Sequence, residues 1–308
     1  MLFYASILCL IRLCSAAHTG YFVPLTTPDR LAQFQDAHEA KLHQATNTTA
    51  RIVDSLRNIA KVTTIDKYQT AQFMIYLIGV MGMLYVVTPG FLFNVFGGQH
   101  SALNHRLVQT YGAGVLGVIV MMFAVVLNKD LTLAEAYQLS EVPWIIESSR
   151  KLWQETLGCK PVGYNKRIQI LRLTLSSLFL YTMTQHHPTT AMQVATALWS
   201  LVGLFVVTQP QAAASSLFGH FSSSMDATSI VMIRMIGFNM LAHAGLAGAM
   251  LYGCDPLTAF GFGYASWFIK VCIMQIVTRD FAKADLDAKQ VYFWIGVHGT
   301  VVTMMLLM

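Results

Sequence analysis

Seven apolar runs, near residues 71–89, 107–127, 168–184, 192–209, 229–251, 257–278 and 290–308, constrain this chain more than any other feature. Each is about 17–23 residues long, the length a helix needs to cross the hydrocarbon layer of a bilayer, and few charges fall inside them. Of the 308 residues, 55% are hydrophobic and only 11% are charged. Soluble domains carry about 25% charged residues, so lipid is the solvent that suits this composition. A soluble chain this apolar would expose patches that drive aggregation. An eighth segment, 131–153, is helical in pattern but carries Glu135, Glu141, Glu147, Arg150 and Lys151. Pro143 lies inside it and predicts a kink or an interruption there.

The apolar runs fall into two similar series. Gly82 to Pro89, GMLYVVTP, matches Gly203 to Pro210, GLFVVTQP, and each is followed by a loop ending in Phe-Gly, at Phe96-Gly97 and Phe218-Gly219. Gly112 precedes Asp130 by the same 18 residues that separate Gly237 from Asp255, and Trp144 parallels Trp267. An ordered series at a nearly constant offset predicts a duplication. The expected organisation is a first transmembrane repeat over 71–190 and a second over 191–308, two tandem four-helix units of an all-α integral membrane protein with 7–8 spans. Pairing the repeats makes 131–153 the counterpart of 257–278, and eight crossings give the two units one orientation. Loop charge pulls the other way. Leaving 131–153 out of the membrane gathers most Lys and Arg on one side, as the positive-inside tendency prefers.

Such a unit, with a Gly-to-Pro first helix and a Phe-Gly loop, resembles the DoxX-like and related uncharacterised four-helix membrane bundles. The resemblance covers 71–308 and implies a fold without implying an activity. Residues 1–16 resemble a signal presequence ending in small residues at Cys14-Ser15-Ala16, with a short anchor helix as the alternative. Tyr21-Phe22-Val23-Pro24, just behind it, resembles the presequences of secondary plastids of the dinoflagellate type. Residues 17–70 form a polar N-terminal segment. Its pattern predicts a helix capped by Thr27 and beginning at Pro28, with Ile52, Leu56 and Ile59 as one apolar stripe. Asn47-Thr48-Thr49 is a glycosylation sequon.

Candidate chemistry rests on a few polar residues at membrane depth. His243 and His298 lie inside apolar runs. A neutral imidazole there can ligate chlorophyll magnesium or haem iron, or can donate one hydrogen bond between helices. Arg234 and Lys270 also lie in or near apolar runs; Lys270 is expected to snorkel to an interface or to pair with a glutamate such as Glu141. Asn104-His105-Arg106 opens a helix, with Ser101 where the light-harvesting antenna motif has glutamate, so His105 and Arg106 are expected to anchor the helix end. The small residues Gly112, Gly114, Gly117, Ala242, Gly245 and Gly248 suit close helix packing, or the seating of a flat pigment or a lipid tail. The five cysteines form no CxxC pair and no zinc spacing. The net charge of +5 lies in clusters flanking the apolar runs, which fits loops at a membrane surface and not a nucleic-acid stripe. No nucleotide-binding or hydrolase signature occurs.

These features together predict a non-catalytic accessory subunit of a large organellar membrane complex. Its partners would be other membrane subunits and lipids. The presequence resemblance implies a photosystem supercomplex in the plastid thylakoid, with chlorophyll, carotenoid or lipid held through His243, His298 or backbone carbonyls. The alternatives are a respiratory-complex accessory subunit in the mitochondrial inner membrane, and a small-solute or ion transporter of an organellar membrane or endomembrane with its site at the repeat interface. A membrane-embedded redox protein acting on lipid or quinone would rest on His243 and His298 alone.

Overall fold

The structure, a computed structural model, describes residues 66–128, 130–158, 165–184, 188–218 and 225–307. The presequence, the glycosylation sequon and most of the polar N-terminal segment lie outside the described residues. The described residues belong to one compact unit.

Helix starts follow from local chemistry. The Asp66 side chain accepts from the Tyr68 N–H and caps α1 (Lys67–Val87). After the short α2 (Gly90–Phe96), Ser101 caps α3 (Ala102–Val126). Thr132 and Glu135 form a reciprocal capping box at the start of α4 (Leu133–Thr156), and Asn165 caps α5 (Lys166–Met183). α6 (Pro188–Thr208) and α7 (Pro210–Ala213) both open on proline, a residue suited to the first helical turn. A π-helical turn over Ala214–Phe218 follows α7. Asp226 caps α8 (Ala227–Leu251), and Asp255 caps α9 (Pro256–Cys272). α9 runs on through a π-helical turn, Ile273–Val277. The short α10 (Asp280–Lys283) and then α11 (Ala288–Leu307) complete the series.

Six helices among the described residues are long and apolar enough to cross a membrane: α1, α3, α6, α8, α9 with its π turn, and α11. The chain is therefore an all-α membrane protein in composition and architecture. The run expected at 168–184 forms α5, which falls short of the apolar six because Lys166, Arg167, Gln169 and Arg172 dilute it. Segment 131–153 becomes α4. The interruption expected at Pro143 does not occur, and α4 runs unbroken through it. Proline there removes a donor to the carbonyl four residues back. Such residues are tolerated where neighbouring helices enclose the backbone, and Tyr137, Ser140 and Trp144 around it are buried.

The two 25-residue helices α3 and α8 lie at the centre and run side by side in the same direction. α1 packs antiparallel on α3, and α6 does the same on α8. α4 and α9 flank the other sides of α3 and α8, and α5 and α11 pack against α4 and α9. Glycine sets two of these approaches. A Cβ on Gly112 would stand 3.0 Å from the Gly82 carbonyl oxygen and 2.8 Å from Tyr85 Cβ. The same contact recurs between α6 and α8, where a Cβ on Gly237 would lie 3.0 Å from the Gly203 carbonyl. A different constraint holds at Gly97, whose φ of 81° brings it against the Asp285 carbonyl in a bridge with Leu286. The Asp287 N–H donates to the Phe96 carbonyl at 2.7 Å. This joins the connector after α2 to the one before α11.

Lipid tails are as apolar as leucine, so helix association here rests on such close contacts. Gly112→Ala and Gly237→Ala should each destabilise the purified protein by about 1–3 kcal/mol through overpacking. Gly296→Ala, which meets open space, should be neutral or stabilising. Thermal unfolding in detergent gives the comparison, and equal midpoints for all three would contradict the glycine contacts.

Candidate functional site

Polar side chains in the interior form clamps between helices. Asn239 on α8 donates from Nδ2 to the Tyr111 carbonyl of α3 at 3.0 Å and accepts at Oδ1 from the Trp267 indole of α9 at 2.9 Å. At the other end of the α3–α8 contact, Asn104 donates from Nδ2 to Asp226 and to the Gln99 carbonyl, each at 2.9 Å. It also accepts from the Ser229 hydroxyl at 2.7 Å. Gln99 N–H donates to Thr228. Both asparagines are buried, so each clamp replaces water that is absent at that depth.

His243 and His298 share no partner. His243 Nε2 lies 2.7 Å from Ser140 Oγ, and that hydroxyl is also 2.6 Å from the Tyr137 carbonyl. A serine has one proton, and the carbonyl can only accept it. His243 therefore donates from Nε2, and its buried Nδ1 is an acceptor with no partner. The Tyr137 and Trp199 rings lie against its imidazole. His298 lies between Tyr264 and Trp294; its Nδ1 also has no partner, and it faces a cavity. No group of three His, Cys, Asp or Glu side chains gathers to hold a metal ion among the described residues.

Two of the cavities among the described residues hold buried charged side chains between packed helices. The first, of about 90 Å³, is bounded by α1, α2, α3, α8, α9 and α11 and contains Lys270 and His298. Lys270 is buried and donates to the Tyr111 hydroxyl at 3.1 Å. The expected pairing of Lys270 with Glu141 is not formed. Glu141 instead accepts from Trp199 Nε1 at 3.0 Å and from the Ser176 hydroxyl at 3.2 Å. Lys270 does not snorkel either, because its ammonium turns into the cavity between α3 and α9. Arg234 pairs with Asp280 of α10, which explains how a cation is held beside an apolar helix.

The second cavity, of about 220 Å³, opens between α5 and α6 and is backed by α3, α4 and α8. Arg172, Lys151, Glu141 and Gln169 line it. Lys151 is held by Glu147 at 3.2 Å and by Thr110 at 2.8 Å, and Arg150 shares the same glutamate at 2.7 Å. The Arg172 guanidinium lies over the Trp144 ring at 4.0 Å. Sequence reasoning passed over Arg172, although it is the one charged residue within 168–184. At the helix end expected to act as an anchor, Arg106 bonds Gln109 and Gln154, while His105 stacks on Phe93.

Two substitutions separate these roles. Asn239→Ala leaves the Trp267 N–H and the helix contact unsatisfied and should cost about 1–2 kcal/mol. Lys270→Met removes a buried ammonium that has no carboxylate partner among the described residues, and should raise stability. Unfolding midpoints in detergent check both, and a fall for Lys270→Met would show the ammonium to be held by more than Tyr111. Comparison with protein-family models, curated proteins and solved structures gives no match.

Proposed function

We propose that this chain is a non-catalytic subunit of a large organellar membrane complex, first of all a photosystem supercomplex of the plastid thylakoid. The observation that carries the reading is the pair of asparagine clamps across α3 and α8. Rocking the two helices against each other would strand buried donors and acceptors, which suits a rigid scaffold better than a carrier that alternates between states. The outward faces of α1, α6 and α11 carry large apolar side chains such as Phe73, Leu201 and Phe293, suited to lipid, to pigment tails or to neighbouring subunits. The presequence-like N-terminus, including Tyr21-Phe22-Val23-Pro24, supports the plastid. Chlorophyll, carotenoid or lipid held through His243 or His298 belongs to this reading, with His298 the better placed because it faces a cavity.

The reading extends to the architecture. Residues 71–190 and 191–308 are taken as two copies of one four-helix unit of the DoxX-like kind, with α4 and α5 crossing the membrane as well. Support comes from the repeated Gly82–Gly112 and Gly203–Gly237 contacts. It comes also from the side-by-side run of α4 and α3, in which Ser140 lies opposite Gly117 and Gln154 opposite Arg106. The parallel run of α3 and α8 supports this reading, since parallel spans have an odd number of crossings between them and α4, α5 and α6 make three.

A transporter is the second reading, favoured by the Lys270 cavity between the two halves. Flux in proteoliposomes that Lys270→Met leaves unchanged would remove it. The leading proposal is tested by native separation of source membranes in mild detergent, with mass spectrometry and absorption spectra on each band. Co-migration with a large pigmented complex is the expected result. Co-migration with a cytochrome-bearing complex would move the assignment to respiration. A small colourless particle would overturn the subunit reading.

A further inference from the structure

The cavity between α5 and α6 holds a buried guanidinium with an unused hydrogen-bond donor. Arg150 and Lys151 share Glu147. Glu141 accepts from the Trp199 indole and the Ser176 hydroxyl, and it and Glu147 act on Arg172 through space, beyond ion-pair distance. Arg172 has no carboxylate within ion-pair distance among the described residues, and its buried Nη2 has no hydrogen-bond partner. The Trp144 ring covers one face of the guanidinium at 4.0 Å. That contact orients the group and leaves its in-plane donors free for an acceptor. Gln169 Oε1, a second cavity-lining atom, is buried without a donor. The cavity thus offers one unused cationic donor and one unused acceptor. Buried groups of this kind are costly unless a ligand completes them.

Position narrows the ligand. Arg172 lies six residues into α5, about 9 Å along its axis, and Lys151 is a similar distance from the end of α4. The Lys166–Glu155 ion pair at 3.6 Å ties those two helix ends together. That depth suits the boundary between head groups and acyl chains. Apart from Thr110 and Ser176, the rest of the wall is aliphatic or aromatic. Leu171, Leu175 and Leu198 line the cavity and are also exposed on the outer surface, so it opens sideways toward the lipid.

We propose that this cavity binds one anionic glycerolipid from the surrounding membrane, its head-group oxyanion on Arg172, a head-group hydroxyl on Gln169 Oε1, and an acyl chain in the groove between α5 and α6. The site rests on the reading above that α4 and α5 cross the membrane, and it stands or falls separately from membership of any complex.

The test uses the full-length protein purified in mild detergent and incubated with phosphatidylglycerol or with phosphatidylcholine, read by native mass spectrometry. The wild type should retain one phosphatidylglycerol per chain in preference to phosphatidylcholine. Arg172→Gln should lower that retention at least tenfold. Leu175→Trp, which fills the groove and keeps the arginine, should do the same, so the test survives if Arg172→Gln fails to fold. Arg167→Gln, an exposed charge at the same end of α5, should change nothing. Equal retention of the two lipids, or wild-type retention by both Arg172→Gln and Leu175→Trp, would overturn the proposal. So would thermal protection by inorganic phosphate equal to that by phosphatidylglycerol, since the acyl chain would then contribute nothing.

Discussion

The contact between α3 and α8 is the constraint on which the rest of the bundle depends. In lipid there is no hydrophobic gain from bringing two helices together, so close packing and satisfied hydrogen bonds must hold them. Both are present here. Gly114 lets the Asn239 amide approach α3, where a Cβ would stand 2.9 Å from its nitrogen. Asn239 then links α3 to Trp267 of α9, and Asn104 links α3 to Asp226 and Ser229. With α3 and α8 set, α1 and α6 dock through glycines on their outer sides, and α4 and α9 close the flanks.

The charged residues of α4 obey the same economy of polar groups. Glu141, Glu147 and Lys151 face other helices and are buried, each with partners from α3, α5, α6 or α4 itself. A helix too polar to sit in lipid alone is thereby sheltered by protein. The arrangement breaks off at Arg172 and Lys270, where a cation meets an aromatic ring or a phenol and, among the described residues, no carboxylate within ion-pair distance. Those two positions also border the cavities.

Much of this was legible in the chain. Six of the seven apolar runs, the polar character of 131–153, and the glycines at 82, 112, 203 and 237 follow from length, periodicity and the internal repeat. The partners of the buried charges were not. Glu141 looked available to Lys270, since both lie on helices that flank the centre. In the folded chain Glu141 faces α5 and α6, while Lys270 faces α3. Pro143 looked like a break because local rules treat a helix in isolation, and the enclosing helices carry it through.

The sequence by itself determined the solvent, the helices and the small-residue faces, because runs of apolar residues, caps and glycines act over a turn or two of backbone. Only the tertiary structure decided which polar atoms are satisfied and which are left over. Asn239, His243, Lys270 and Arg172 are alike in a linear reading, as polar groups within apolar runs. Their differences arise from neighbours more than twenty-five residues away, brought to within a hydrogen bond by the way the helices pack.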